Sequence, residues 1–229
     1  MTRQNNFSFI GLSIAEKSIT NKMVKIKFCG MTNKTDVERA VALGVDALGF
    51  IFAESPRRVT PGKIAPFVKN IPPFISRVGV FVNETPVQVE AVRRRLNLDT
   101  LQFHGEEPPS YCNYFRKKAK VIKAFRIRGG HSLKALNRYR VDGYLLDTYH
   151  PTLKGGTGKR FPIPLAKQAK KIRQPIILSG GLTPGNVASV ANGVRPYGLD
   201  VSSGIESRPG KKDFRLMKQF VAAVRKPKR

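Results

Sequence analysis

The chain has 229 residues, 41% of them hydrophobic, which is enough for one large α/β domain and argues against global disorder. Forty-two Lys and Arg against 15 Asp and Glu give a formal net charge of +27, a field that attracts polyanions and phosphorylated metabolites alike. No uninterrupted apolar run reaches about 18 residues, so no membrane-spanning helix is expected.

Residues 1–22 carry a short apolar run, Phe7 to Ala15, behind a single Arg. A secretory signal has a more basic start and a longer apolar core. This segment reads instead as a disordered extension or as a start assigned too early, with Met23 as the true start just before the first strand pattern. From Met23 to Arg229 short β-rich runs alternate with helical stretches. The runs are 24–30 (VKIKFCG), 46–52 (DALGFIF), 75–82 (ISRVGVFV), 99–105 (DTLQFHG), 120–126 (KVIKAFR), 142–148 (DGYLLDT), 175–181 (PIILSGG) and 197–204 (YGLDVSSG). Most are rich in Val, Ile, Leu and Phe, as strands covered on both faces are. Helices are expected over 33–44, closed by Gly44, over 60–71 and 85–97, each opened by Thr-Pro, over 183–194, also opened by Thr-Pro, and over 211–226. Eight strand–helix units in one stretch without a linker or short repeat suit a single (β/α)8 TIM barrel as the catalytic domain. A doubly wound open sheet is the alternative, but its glycine fingerprint is absent after the first strand, where CGMTNKTD stands.

The basic residues are spread along the chain, densest at Arg93-Arg94-Arg95, at Lys117-Lys118 and in the tail from Arg225 to Arg229. No interleaved basic–aromatic motif accompanies them. The charge therefore reads as solvated surface: nonspecific polyanion binding stays open, and specific nucleic-acid recognition is not expected. Like-charge repulsion favours a monomer. The two cysteines, Cys29 and Cys112, give neither a metal-binding spacing nor a disulfide framework, and fit a reduced cytoplasmic setting.

In a parallel barrel the strand ends present their last side chains to one shared mouth. By that rule Cys29 closes the first strand and Asp147 the sixth, Gln102 and His104 end the fourth, Asp200 ends the eighth, and Arg57 lies in the loop after the second. Glycine-rich segments follow three consecutive strands: Gly155, Gly156 and Gly158 after the sixth, Gly180 and Gly181 at the end of the seventh, and Ser203 with Gly204 at the end of the eighth. Bare backbone N–H groups there suit a phosphate group, so a phosphorylated small molecule is the expected ligand.

The segments KFCGMT, DALGFIF, SPRRV, VGVFVNE, LQFHGEE, LLDT…GGTGKRF, ILSGGLTPGNV and LDVSSGIESRPGKKD resemble the phosphoribosylanthranilate isomerase family of tryptophan biosynthesis, from residue 24 to about residue 225. Phe28, where the family usually carries Ile or Val, is a small departure. The resemblance implies an Amadori rearrangement of N-(5-phosphoribosyl)anthranilate that needs no cofactor and no metal. It implies Asp147 as the general acid, Cys29 as the general base, and Arg57 as the grip on the anthranilate carboxylate. A thiolate at Cys29 is expected to be favoured by nearby positive charge. Gln102 and His104 either orient substrate or serve only as strand-end hydrogen-bonding groups, and Asp200 is expected near the substrate. Cys112 reads as helix packing. Two alternatives stand beside this one: another phosphosugar-binding barrel isomerase, and a basic polyanion-binding barrel without the activity.

Overall fold

The computed structural model describes residues 23–126, 135–147, 167–168 and 174–226. The expected extension over residues 1–22 lies outside them. Eight strands close into one parallel barrel in sequence order: β1 Lys25–Cys29, β2 Ala47–Ile51, β3 Ser76–Phe81, β4 Thr100–Phe103, β5 Lys120–Arg126, β6 Gly143–Asp147, β7 Ile176–Ser179 and β8 Gly198–Val201. Each falls inside the run expected from the sequence. The ring is sealed where β8 pairs with β1, in a register that sets Lys27 beside Asp200.

Side chains alternate along each strand, because the pleat has a period of two. One set faces the helices: Ile26 and Phe28 on β1, Leu48 and Phe50 on β2, and Leu146 on β6 join a single large core. Each such side chain, once fully buried, contributes roughly 1.5–3 kcal/mol. The other set points into the barrel, where Ala124, Leu145 and Ile177 form a small apolar plug against Ile122. Lys27 and Cys29 share this inner phase, as do Asp147 and Asp200 on their strands. Polar groups thus collect above the plug, at the C-terminal ends of the strands.

The helices between the strands start where local chemistry dictates. Asn33, Thr60 and Thr85 each accept a backbone N–H of the first turn, opening α1 (Lys34–Ala42), α2 (Pro61–Val68) and α3 (Pro86–Leu96). Gly44, at φ +66°, supplies the left-handed exit after α1. A further helix, α4 (Pro109–Arg116), begins after Pro108 with no side-chain cap, so the usual opening signal is missing from its sequence. It buries Cys112 as expected, and desolvation pushes that thiol up to about 11.

Two expected helix starts are corrected. The helix after β7, α5 (Val187–Val194), begins later than Thr183-Pro184, because the Asn186 side chain folds back on the Thr183 N–H and the Gly181 carbonyl to make a turn first. The closing helix, α6 (Phe214–Arg225), is capped by Asp213. Lys211-Lys212, expected within that helix, form instead β10, which pairs antiparallel with β9 (Glu206–Arg208) in a hairpin after β8.

The segment that follows β4 is tied down by a buried ion pair. Lys123 Nζ donates to Glu107 Oε2 at 3.0 Å and to the Gly105 carbonyl at 2.6 Å. Glu107 also accepts the N–H groups of Asn83 and Gly105. Replacing Glu107 with Gln leaves the Lys123 ammonium buried without its counter-charge. Urea unfolding of Glu107→Gln is expected to show a loss of about 3–5 kcal/mol, the usual cost of breaking one partner of a buried pair; a loss below about 1 kcal/mol would mean that the pair is solvent-relaxed.

Candidate active site

Cys29 is the last residue of β1 and Asp147 the last of β6, so parallel pairing puts both on one rim. Gln102 lies within β4, His104 directly after it, and Asp200 one residue before the end of β8. Gly180 and Gly181 follow β7, and Ser203 and Gly204 open a short 3-10 turn after β8. Gly155, Gly156 and Gly158 lie outside the described residues.

Three side chains form a chain across this rim. Gln102 Nε2 is 3.1 Å from His104 Nδ1, and His104 Nε2 is 3.4 Å from Asp147 Oδ2. With the Gln102 amide donating, Nδ1 accepts, which leaves Nε2 to carry the hydrogen on the side of Asp147. The Asp147 side chain keeps 18% of its surface exposed, enough to meet a ligand in the mouth.

Arg57 reaches the rim because Gly30 has no side chain. A Cβ on Gly30, which sits at φ +73°, would meet Arg57 Cδ at 2.6 Å. The guanidinium then forks onto Glu206, with Nε 2.9 Å from Oε1 and Nη2 2.7 Å from Oε2. That hydrogen bonding raises Arg57 above its ordinary value. Burial works against ionisation of Glu206, but Arg57 and Lys212 outweigh it and hold the carboxyl below its usual range. Lys212, fully buried, donates to Glu206 Oε1 at 2.9 Å, to the Cys29 carbonyl at 2.6 Å and to the Ser202 carbonyl at 3.2 Å. The β9–β10 hairpin is thereby locked onto the end of β1.

The environment of Cys29 differs from the expectation. The residue is 6% exposed, and burial pushes its thiol above the ordinary value. Lys27 and Lys212 pull it down, while Asp200 pushes it further up. The positive charge is present, but desolvation outweighs it. Asp200 is itself occupied: Oδ1 accepts from Lys27 Nζ at 2.7 Å and Oδ2 from Ser179 Oγ at 3.3 Å.

The glycine loops differ in what they need. Gly180 and Gly181 hold φ +96° and +61°, and among the described residues no atom lies within 4 Å of where a Gly181 Cβ would stand, so a group can approach the backbone at Gly181. Gly204 instead packs its bare Cα on the Leu182 carbonyl. The two loops touch only because residue 204 has no side chain.

Lys27, Glu206 and Lys212 were not singled out from the sequence. Lys27 was within reach, since a residue two positions before a strand-end cysteine must share its face. Glu206 and Lys212 come together through a hairpin that ESRPGKKD announces only weakly.

An eight-stranded closed parallel barrel with its ionisable groups at the strand C-termini is the architecture of the (β/α)8 enzymes. A family profile described as N-(5'phosphoribosyl)anthranilate (PRA) isomerase matches residues 26–223. The N-(5'-phosphoribosyl)anthranilate isomerase of Trichlorobacter lovleyi is 46% identical over 200 residues, covering 87% of this chain and 97% of that protein. Among solved structures, phosphoribosyl anthranilate isomerase from Thermotoga maritima matches with a TM-score of 0.82 at 39% identity, covering 88% of this chain and 98% of that one. Another, in complex with reduced 1-(o-carboxyphenylamino)-1-deoxyribulose 5-phosphate, has a TM-score of 0.79 at 37% identity, with 88% and 98% covered. The chain belongs to the N-(5'-phosphoribosyl)anthranilate isomerase family.

The contact at Gly204 gives a direct test of the loop packing. In Gly204→Ala the added methyl runs into the Leu182 carbonyl and drives the β7 and β8 loops apart. KM is expected to rise about tenfold with a smaller change in kcat, as for lost uniform binding; an unchanged KM would separate these loops from the substrate.

Proposed function

We propose that this rim catalyses the Amadori rearrangement of N-(5'-phosphoribosyl)anthranilate to 1-(2-carboxyphenylamino)-1-deoxyribulose 5-phosphate in tryptophan biosynthesis. The observation that carries the reading is the placement of one thiol and one carboxyl, Cys29 and Asp147, at the same end of one barrel in a chain of this family. The solved relative that holds a reduced form of the rearranged product supports the substrate class.

The reaction needs an acid and a base. Asp147 protonates the furanose ring oxygen, and the ring opens to an iminium. The Cys29 thiolate takes the C2′ proton. The electron pair of that C–H bond forms the C1′=C2′ double bond and neutralises the iminium nitrogen. The enolamine then loses its enol proton and gains one at C1′, which yields the ketone. His104, oriented by Gln102, holds the Asp147 carboxyl in place between these steps. Glu206 occupies one edge of Arg57, so the substrate carboxylate meets the guanidinium from its Nη1 side. The backbone around Gly181, with Gly180, Ser203 and Gly204, receives the phosphate, joined by Gly155, Gly156 and Gly158, which follow Asp147 in the sequence. Asp200, engaged by Lys27 and Ser179, acts on the site through Lys27.

One catalytic unit from Met23 onward accounts for all of this chemistry. We place it in the cytoplasm, since neither buried cysteine, Cys29 nor Cys112, has a disulfide partner. We also take it to be a monomer that recognises no specific nucleic acid, on the self-repulsion of its +27 charge. A relative from Thermotoga maritima is described as dimeric. Light scattering at low salt is expected to give the mass of one chain, and twice that mass would overturn this assignment.

Fluorescence of the anthranilate adduct, generated in place from anthranilate and phosphoribosyl pyrophosphate by their transferase, reports turnover. Cys29→Ala and Asp147→Asn are each expected to lower kcat about 10²–10⁴-fold while keeping the fold, the usual cost of one positioned acid or base. Near-native rates in both would remove these two residues from the mechanism.

A further inference from the structure

Cys29 shares the inside of the barrel with an ion pair that takes no bond-making or proton-transfer step in the chemistry above. Lys27, two residues earlier on the same face of β1, donates to Asp200 across the β1–β8 seam at 2.7 Å, with side chains only 5% and 6% exposed. A pair this deeply buried is weak support for stability, since apolar residues of the same volume often serve as well. Its position is more informative. A Cβ placed on Gly49 would stand 2.8 Å from Cys29 Sγ and 2.9 Å from Lys27 Nζ. Sulfur and ammonium therefore share one hollow, and the missing side chain of Gly49 on β2 is what makes room for both.

The charges around that hollow are uneven. From β1 comes Lys27, from β8 Asp200, from β9 Glu206, from β10 Lys212, and from the loop after β2 Arg57. Three cations face two carboxylates, so one positive charge is left over until the sulfur ionises.

We propose that Lys27 is a positioning residue for the isomerase reaction: its ammonium, anchored by Asp200 and admitted by Gly49, is the counter-ion of the Cys29 thiolate. This rests on Cys29 being the base. As the thiolate takes the C2′ proton it becomes neutral, and the Lys27 charge is left to Asp200. The pair thus keeps a cation beside the sulfur in both states, with Asp200 as its partner while the thiol is neutral. Burial raises the thiol and pulls Lys27 down, yet Asp200 and Cys29 outweigh that pull and keep the ammonium above its ordinary value.

The test follows the ionisation of Cys29 itself, through its isotope-labelled Cβ resonance, alongside the pH profile of kcat/KM. In Lys27→Met the thiolate loses its attraction, so its midpoint is expected to move up by about one pH unit or more. Near neutral pH kcat/KM falls about tenfold in step with the thiolate fraction, and the deficit closes as pH rises. A merely structural role would give a deficit that is flat with pH. Lys27→Met/Asp200→Asn leaves no lone carboxylate in the barrel and keeps the measurement possible should the single variant fail to fold. Its midpoint also moves up, by less, because Asp200 opposes ionisation. An unmoved Cys29 midpoint in either folded variant overturns the proposal. Were Cys29 not the base, Cys29→Ala would stay active while the midpoint still moved in Lys27→Met, so the two readings fail separately.

Discussion

The seam between β8 and β1 is the constraint on which the rest of this molecule depends. Parallel strands put all their C-terminal ends on one side, but only closure turns that side into an enclosed mouth. Closure here sets Lys27 opposite Asp200 on the inner face, so a mismatched register would leave each charge buried without its partner. The hairpin after β8 reinforces the seam from above. Lys212 donates at once to the end of β1 and to Glu206, and Glu206 holds Arg57. Thiol, ammonium and guanidinium are therefore fixed by one piece of backbone pairing.

Much of the barrel was legible in the sequence because its signals are local. β-rich runs of seven or eight residues, Thr-Pro openings and Gly44 each declare an element from a few neighbouring residues, and all eight strands lie where those runs fall. The starts of α4 and α5 were harder, because Pro108 offers no side-chain oxygen and Asn186 spends its own on a turn. Of the site, the strand-end residues could be placed from the barrel rule alone. What escaped was the electrostatics. Whether Cys29 is eased or hindered in ionising depends on the balance between burial and two lysines, and burial is a property of the packed mouth. Likewise Asp200 reads in the sequence as one more acid at a strand end; its commitment to Lys27 and Ser179 needs three strands in register.

The large positive charge and the chemistry of the mouth are separate matters. At the rim each of Lys27, Lys212 and Arg57 holds a carboxylate within hydrogen-bonding distance, so its charge is local and oriented. Elsewhere among the described residues, outer pairs such as Lys34–Glu38, at 3.6 Å and well exposed, are screened by salt and contribute little. The same surface field can draw a phosphorylated metabolite toward the molecule, while the paired charges of the mouth decide how it sits.

The ends of the seam are far apart along the chain: 173 residues separate Lys27 from Asp200, and 183 separate Lys212 from the carbonyl it holds at Cys29. Contacts of such span form late, after the entropy of closing the loop has been met. A growing polypeptide emerging from the ribosome therefore has its first strand ready long before the counter-charge that lets Lys27 enter the interior. Assembly of the reactive sulfur's surroundings waits on the last stretch of translation, and a nascent barrel missing its C-terminal hairpin has no means of being active early.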